Sequence, residues 1–261
     1  MEGFHLIIGE HLLQITGKKS EFFSEFKRDY KPFIYRGYKQ SDLLINIEKG
    51  YGSSFINHHV TINQKADKIY YQRADYLIET SHDFKSANIY VQDKLALKHA
   101  LMNLYSAFIL HHNWGILIHS SCVIENGKAH IFSGNSGAGK STAAKLSLPR
   151  DLLSDEATIL KVTEGAMEVF NSPFRSELES ADNQKPCPLR SIQLLTQSLT
   201  NKRVHLKKSV ALVELTDKVF FWCHKPEESS RIFHLLTALV KEVPAYELHF
   251  QKNNTFWELI S

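Results

Sequence analysis

The chain has 261 residues, 43% hydrophobic and 23% charged, and a formal net charge of +3. That is the composition of a globular protein with one large domain or two small ones, and the charge is too slight to mark a nucleic-acid or anionic-membrane binder. Cys122, Cys187 and Cys223 are widely spaced, which argues against a disulfide framework or zinc cluster and fits a reducing cytoplasm. No stretch approaches the ~20 apolar residues of a membrane span. Glu2 and His5 precede a short apolar run without a basic segment, which is not the pattern of a signal peptide.

Residues 1–92 read as β-rich. Two apolar runs, 4–8 and 11–15, flank Gly9-Glu10 as a hairpin. Phe22, Phe23 and Phe26 at helical spacing predict a short amphipathic helix over 18–31. Short strands follow at 32–35, 43–47, 68–72, 76–79 and 89–91. Nothing here is a catalytic motif, but the region could bind an acceptor. The pairs His58-His59 and His111-His112 have no carboxylate or cysteine at a helpful spacing, so neither is assigned a metal. From Asp93, an N-cap, Leu97, Leu101, Leu104, Tyr105 and Phe108 share one helical face. A second domain is expected over 93–261.

The informative stretch begins at Gly115. Two apolar runs, 115–124 and 128–133, meet at Asn126-Gly127, the strongest short hairpin signal. A two-residue turn there pairs Glu125 with Lys128, Val123 with His130 and Ser121 with Phe132. Continued, the register carries His119 opposite Gly134. Gly134-Asn135-Ser136-Gly137-Ala138-Gly139-Lys140-Ser141 then matches G-x-x-x-x-G-K-[ST], the phosphate-binding P-loop. A strand leads in and helix formers from Thr142 lead out. Main-chain N–H groups of 134–142 would close around phosphate oxygens. Lys140 would reach the β/γ-phosphates and Ser141 would ligate Mg²⁺. Past the helix, Asp155-Glu156 ends a short strand, where one carboxylate can hold metal and the other take a proton. Arg175 follows in a loop as a candidate phosphoryl clamp. Residues 179–190, with Asp182 and Lys185, read as a mobile loop able to contact substrate. Lys202, Arg203, Lys207 and Lys208 form a basic run, a solvated face or an acidic-substrate patch. Strands at 219–223 and 246–250, a helix from Pro226 to Glu242 and a short closing helix at 255–260 complete the reading.

His119, the glycine motif with Lys140 and Ser141, and Leu153-Ser154-Asp155-Glu156 together resemble the core of HPr kinase/phosphorylase. They are similar above all to its shorter bacterial relatives, some of which phosphorylate a serine of a lasso-peptide precursor. The likeness is specific over about 115–175 and weaker beyond. It implies an α/β fold of the HPr-kinase-like, PEP-carboxykinase-like type: a mixed sheet with flanking helices, preceded here by the β-rich region. It also implies Asp155 as general base with His119 close by. Glu156 stands where that family has a second aspartate, and the phosphorylase segment is not recognisable. The expected function is an ATP- and Mg²⁺-dependent cytoplasmic serine kinase acting on a small protein or peptide, in a chain able to form homo-oligomers. A small-molecule kinase for free serine or a sugar, and a nucleotide-binding regulator without transfer, remain alternatives.

Overall fold

The computed structural model describes every residue except Ala66, Glu177, 179–184, His224 and Ser261. Its chain divides into two compact units, residues 1–112 with 221–228, and 113–220 with 229–261.

The first unit alternates buried and open residues along strands whose sequences alternate the same way. It contains β1 (Glu2–Ile8), β2 (His11–Gly17), α1 (Glu21–Asp29), β3 (Ile34–Tyr35), β4 (Leu43–Lys49), β5 (Thr61–Lys65), β6 (Lys68–Arg73), β7 (Tyr76–Ser81), β8 (Ser86–Val91) and α2 (Lys94–His111). The strands form one sheet in the order β3-β1-β2-β4-β8-β7-β6-β5. Gly9, at φ +61, closes the β1–β2 hairpin as expected. Residues 31–33 form a short 3-10 turn rather than strand, since Pro32 lacks the N–H a ladder needs. β5 is a strand the sequence reading omitted. Its polar residues are largely open to solvent, so it lacks the apolar alternation that marks a strand.

The Ser20 hydroxyl caps α1, whose Phe23 and Phe26 rings pack at 5.5 Å from that of Phe4. Asp93 caps α2 as expected, accepting the Ala96 N–H at 2.9 Å. The predicted stripe of α2 is buried, and so are Asn103 and Ser106 on its other sides. The helix contacts β7 and β8, and Tyr105 Oη donates to the Ile8 carbonyl at 2.8 Å. By these contacts α2 goes with the first sheet, whereas the sequence division at 92/93 groups it with the second half.

The second unit contains β9 (Gly115–Glu125), β10 (Lys128–Ser133), α3 (Lys140–Leu146), β11 (Leu152–Ser154), β12 (Ala157–Thr163), β13 (Ala166–Phe170), β14 (Cys187–Gln197), β15 (Lys202–His205), α4 (Lys208–Thr216), most of α5 (Pro226–Glu242), β16 (Ala245–Phe250) and a 3-10 turn, Asn254–Leu259. Its sheet runs β10-β9-β12-β13-β14-β16-β15, and β10 also pairs with β14. Five strands therefore close a ring. β14 lies parallel to β10 and to β16, and the other ring pairings are antiparallel. The fold class is thus mixed α/β, with two large mixed sheets and flanking helices.

Two expectations in this half are corrected. Residues 187–190 belong to strand β14, not to a loop; 179–184 lie outside the described residues. The stretch 219–223 is not a strand: only Val219 forms a bridge, to Ile118. The basic run is divided between β15 and the start of α4, where Lys208 Nζ donates to the Lys241 carbonyl.

Candidate functional site

The β9–β10 hairpin positions the site. Asn126 (φ +52) and Gly127 (φ +72) take the left-handed backbone that a two-residue turn of this kind needs. The pairing then runs as counted from sequence, from Glu125–Lys128 through Val123–His130 and Ser121–Phe132 to Ser133–Ser120. Beyond the last pair, the Ser133 hydroxyl donates to the His119 carbonyl at 2.8 Å. His119 sits next along β9, half-buried, its ring 5.2 Å from that of Phe220.

Residues 134–139 link β10 to α3. Asn135, Ser136 and Gly137 are exposed, as is Ser141, whereas Lys140 is buried. Gly139 holds φ +106, and an added Cβ would come 2.6 Å from the Phe250 ring. The loop is tied from three sides. Lys140 Nζ donates to the carbonyls of Gly134 at 3.0 Å and Asn135 at 3.2 Å. Gln197 Nε2, at the end of β14, donates to the Gly137 carbonyl at 2.6 Å. Ser121 Oγ, on β9, donates to the Lys140 carbonyl at 3.0 Å. Burial and then the charge of Lys218 lower the pKa of Lys140.

Lys218 was not singled out from sequence. It follows the C-terminus of α4 and is buried, with Nζ 2.6 Å from Asn135 Oδ1 and 2.7 and 2.8 Å from the Asp217 carboxylate oxygens. A cavity of about 320 Å³ opens beside it, lined by Gly134, Asn135, Leu195, Val210, Glu214 and Glu247 among others.

The acidic pair reaches β9 from its other edge. Leu152 and Ser154 of β11 pair with Val123 and Cys122, next to Ser121. Asp155 is buried. It accepts from the Ser176 N–H at 3.1 Å, the Ser176 hydroxyl at 3.0 Å and the Leu178 N–H at 3.0 Å. Glu156 is half-buried, and its carbonyl accepts the Ser120 N–H. The Arg175 guanidinium is drawn inward: Nε donates to Ser172 O, and one Nη donates to Leu152 O at 3.0 Å and Asn171 Oδ1 at 2.7 Å. Those nitrogens brace the loop onto β11. Burial lowers the Arg175 pKa, against the opposing pull of Asp155.

The loop combines the exposed residues Asn135, Ser136 and Gly137 with two buried lysines whose ammonium groups both bond Asn135, a mix of residues that suits a polyphosphate. Among the described residues no three His, Cys, Asp or Glu side chains gather as a metal cage. A Mg²⁺ shared with phosphates needs only one or two protein oxygens, and the exposed Ser141 hydroxyl fits that need. Among the described residues no helix is long and apolar enough to cross a membrane.

No curated protein matches the chain. A family model described as SynChlorMet cassette protein ScmC matches residues 83–261, which include the whole loop and the acidic pair. The chain belongs to the SynChlorMet cassette protein ScmC family.

Proposed function

We propose that the chain is an ATP-dependent kinase of the HPr-kinase type, transferring the γ-phosphoryl group to a serine hydroxyl of a small protein or ribosomally made, lasso-type precursor peptide. The observation that carries this reading is the buried Lys140 ammonium held on two carbonyls of an exposed glycine loop. Such an arrangement answers a polyphosphate: loop N–H groups meet its oxygens and the lysine neutralises its charge.

In this reading Lys140 and the 134–142 main chain hold the triphosphate. Ser141 would hold a Mg²⁺ brought with the nucleotide, and the ion would supply further positive charge against the phosphates. The serine oxygen bonds to the γ-phosphorus as the bond to the β-phosphate oxygen breaks. ADP leaves with that electron pair, and the serine proton passes to Asp155. For Asp155 to receive it, the contacts with Ser176 and Leu178 must yield to the incoming hydroxyl. Most of the rate gain comes from positioning and charge.

The cavity beside Lys218 favours a second reading, a small hydroxylated acceptor. Its 320 Å³ lies at the lower end of the range for small-ligand pockets. One assay separates the readings: γ-labelled ATP and Mg²⁺ with serine-containing peptides, an HPr-like protein and free serine. Label on a peptide or protein serine, lost in Asp155→Asn, is the expected result. Label on a small molecule alone moves the acceptor class. Nucleotide binding with no labelled acceptor leaves a regulator and removes the kinase reading.

A further inference from the structure

We propose that Lys218 is a second phosphate-binding cation of this site and contacts the terminal phosphoryl group of a bound nucleoside triphosphate. The inference rests on the nucleotide reading above.

Lysine is almost never fully buried without a partner. Among the described residues two lysines are buried, Lys218 at 5% exposure and Lys140 at 8%, each with hydrogen-bond partners. Both ammonium groups converge on one loop residue: Lys140 on the Asn135 carbonyl, Lys218 on the Asn135 side-chain oxygen. Of the two, only Lys218 bonds a carboxylate, that of Asp217, whose side chain is 68% exposed; Lys140 bonds neutral carbonyls. Glu214 and Glu247 line the cavity on the Lys218 side, but among the described residues the Lys140 ammonium has no carboxylate bonded to it, and an incoming anion can supply that partner.

The fold holds Lys218 in place independently of that anion. Its carbonyl accepts the His119 N–H at 2.7 Å, and the Phe220 N–H bonds to the Leu117 carbonyl. The residue is thereby fastened to β9 on both sides. Lys218 is also among the residues that line the 320 Å³ cavity, so a ligand there comes beside it.

Location decides which phosphate it meets. In this loop chemistry the Lys140 ammonium serves the β/γ end of the nucleotide. Lys218 shares Asn135 with Lys140, so it sits at that end and not at the base. It thus takes the position expected of the clamp that Arg175, with two nitrogens engaged by its own loop, does not fill. On binding, the γ-phosphoryl oxygens replace Asp217 as the partner of Lys218.

The test is calorimetric titration of the full chain with ATP and with ADP, each with Mg²⁺, for the parent, Lys140→Ala, Lys218→Ala, Lys218→Arg and Asp217→Asn. Lys218→Ala is expected to weaken ATP by about tenfold or more, the worth of a charge-assisted hydrogen bond. ADP should change by less than about threefold, because it lacks the group concerned. Lys218→Arg should restore most of the ATP affinity, and Asp217→Asn, which removes a competing anion, should tighten ATP. An unchanged ATP:ADP ratio in a folded Lys218→Ala variant overturns the inference while the nucleotide reading stands. If that variant does not fold, an unchanged ratio in Asp217→Asn overturns it instead. A parent chain that binds neither nucleotide removes both.

Discussion

Gly139 and the Phe250 ring leave no room for a methyl group between them: an added Cβ would stand 2.6 Å from Phe250 Cζ. Phe250 is itself fixed, packed in a core with Phe132, Phe256 and Trp257. Gly139 also holds φ +106, where a side chain is strained regardless of space. Gly139→Ala should therefore destabilise the second unit by about 2–3 kcal/mol. It should also shift Lys140, the next residue, and weaken nucleotide binding. Urea denaturation and ATP titration check both effects; a parental midpoint would mean that the loop rearranges freely.

Arg175 braces the loop through three described hydrogen bonds, to Ser172, Leu152 and Asn171. Arg175→Ala leaves two carbonyls and an amide oxygen without their donor in a largely buried place. A loss of about 2–4 kcal/mol follows. Lysine cannot reproduce the fork, so Arg175→Lys should recover less than half of it. Nucleotide affinity should stay within about twofold of the parent in whichever variant folds. A large drop in affinity at unchanged stability would return Arg175 to the role of clamp.

His119 is held by its main chain: its N–H bonds to the Lys218 carbonyl and its carbonyl accepts from Ser133. His119→Ala keeps both bonds, so stability should change by less than about 1 kcal/mol. If the imidazole assists the proton transfer assigned to Asp155, kcat should fall at least tenfold with KM for ATP little changed. Parental kcat across pH 6 to 8 would leave the ring a packing group against Phe220.

The site divides into what local chemistry writes and what only the closed ring of strands brings together. Asn126-Gly127 encodes the hairpin register, and Asp93 and the glycine motif announce their helices, because each rests on a few neighbouring residues. β14 was missed since most of its length pairs with β10 and β16, far along the chain and parallel, with no turn to mark them. Pro186 and Pro188 also make its start resemble a loop. Lys218 carries no signal at all: a lysine after a helix is ordinary until the Val219–Ile118 bridge carries it to Asn135. Asp155 was legible as a strand-end carboxylate, but not its engagement by Ser176 and Leu178, two residues that supply three donors from the loop after Arg175.

A polar chain beside the loop strand sets an acid limit on stability. Arg203 Nε donates to Gln193 Oε1, and Gln193 Nε2 donates to Ser191 Oγ at 2.7 Å. Ser191 then has its own proton to give to His130 Nδ1, 2.8 Å away, which suits a neutral imidazole. Burial, with Arg203 next, brings the His130 pKa down from 6.5 to about 4. A depressed pKa means that the unfolded chain binds the proton more readily between those values. Stability from His130 is therefore full above pH 6.5 and is lost as pH falls toward 4, by about 1–3 kcal/mol. His11 and His99, also lowered to about 4 by burial, add to the same trend in the first unit. The His130 share is isolated by difference. His130→Gln should be less stable than the parent at pH 7, and the gap should narrow by pH 4.5, read from urea denaturation followed in the second unit. A gap that stays constant over that range would mean that His130 does not titrate between the folded and unfolded states as this chain of donors requires.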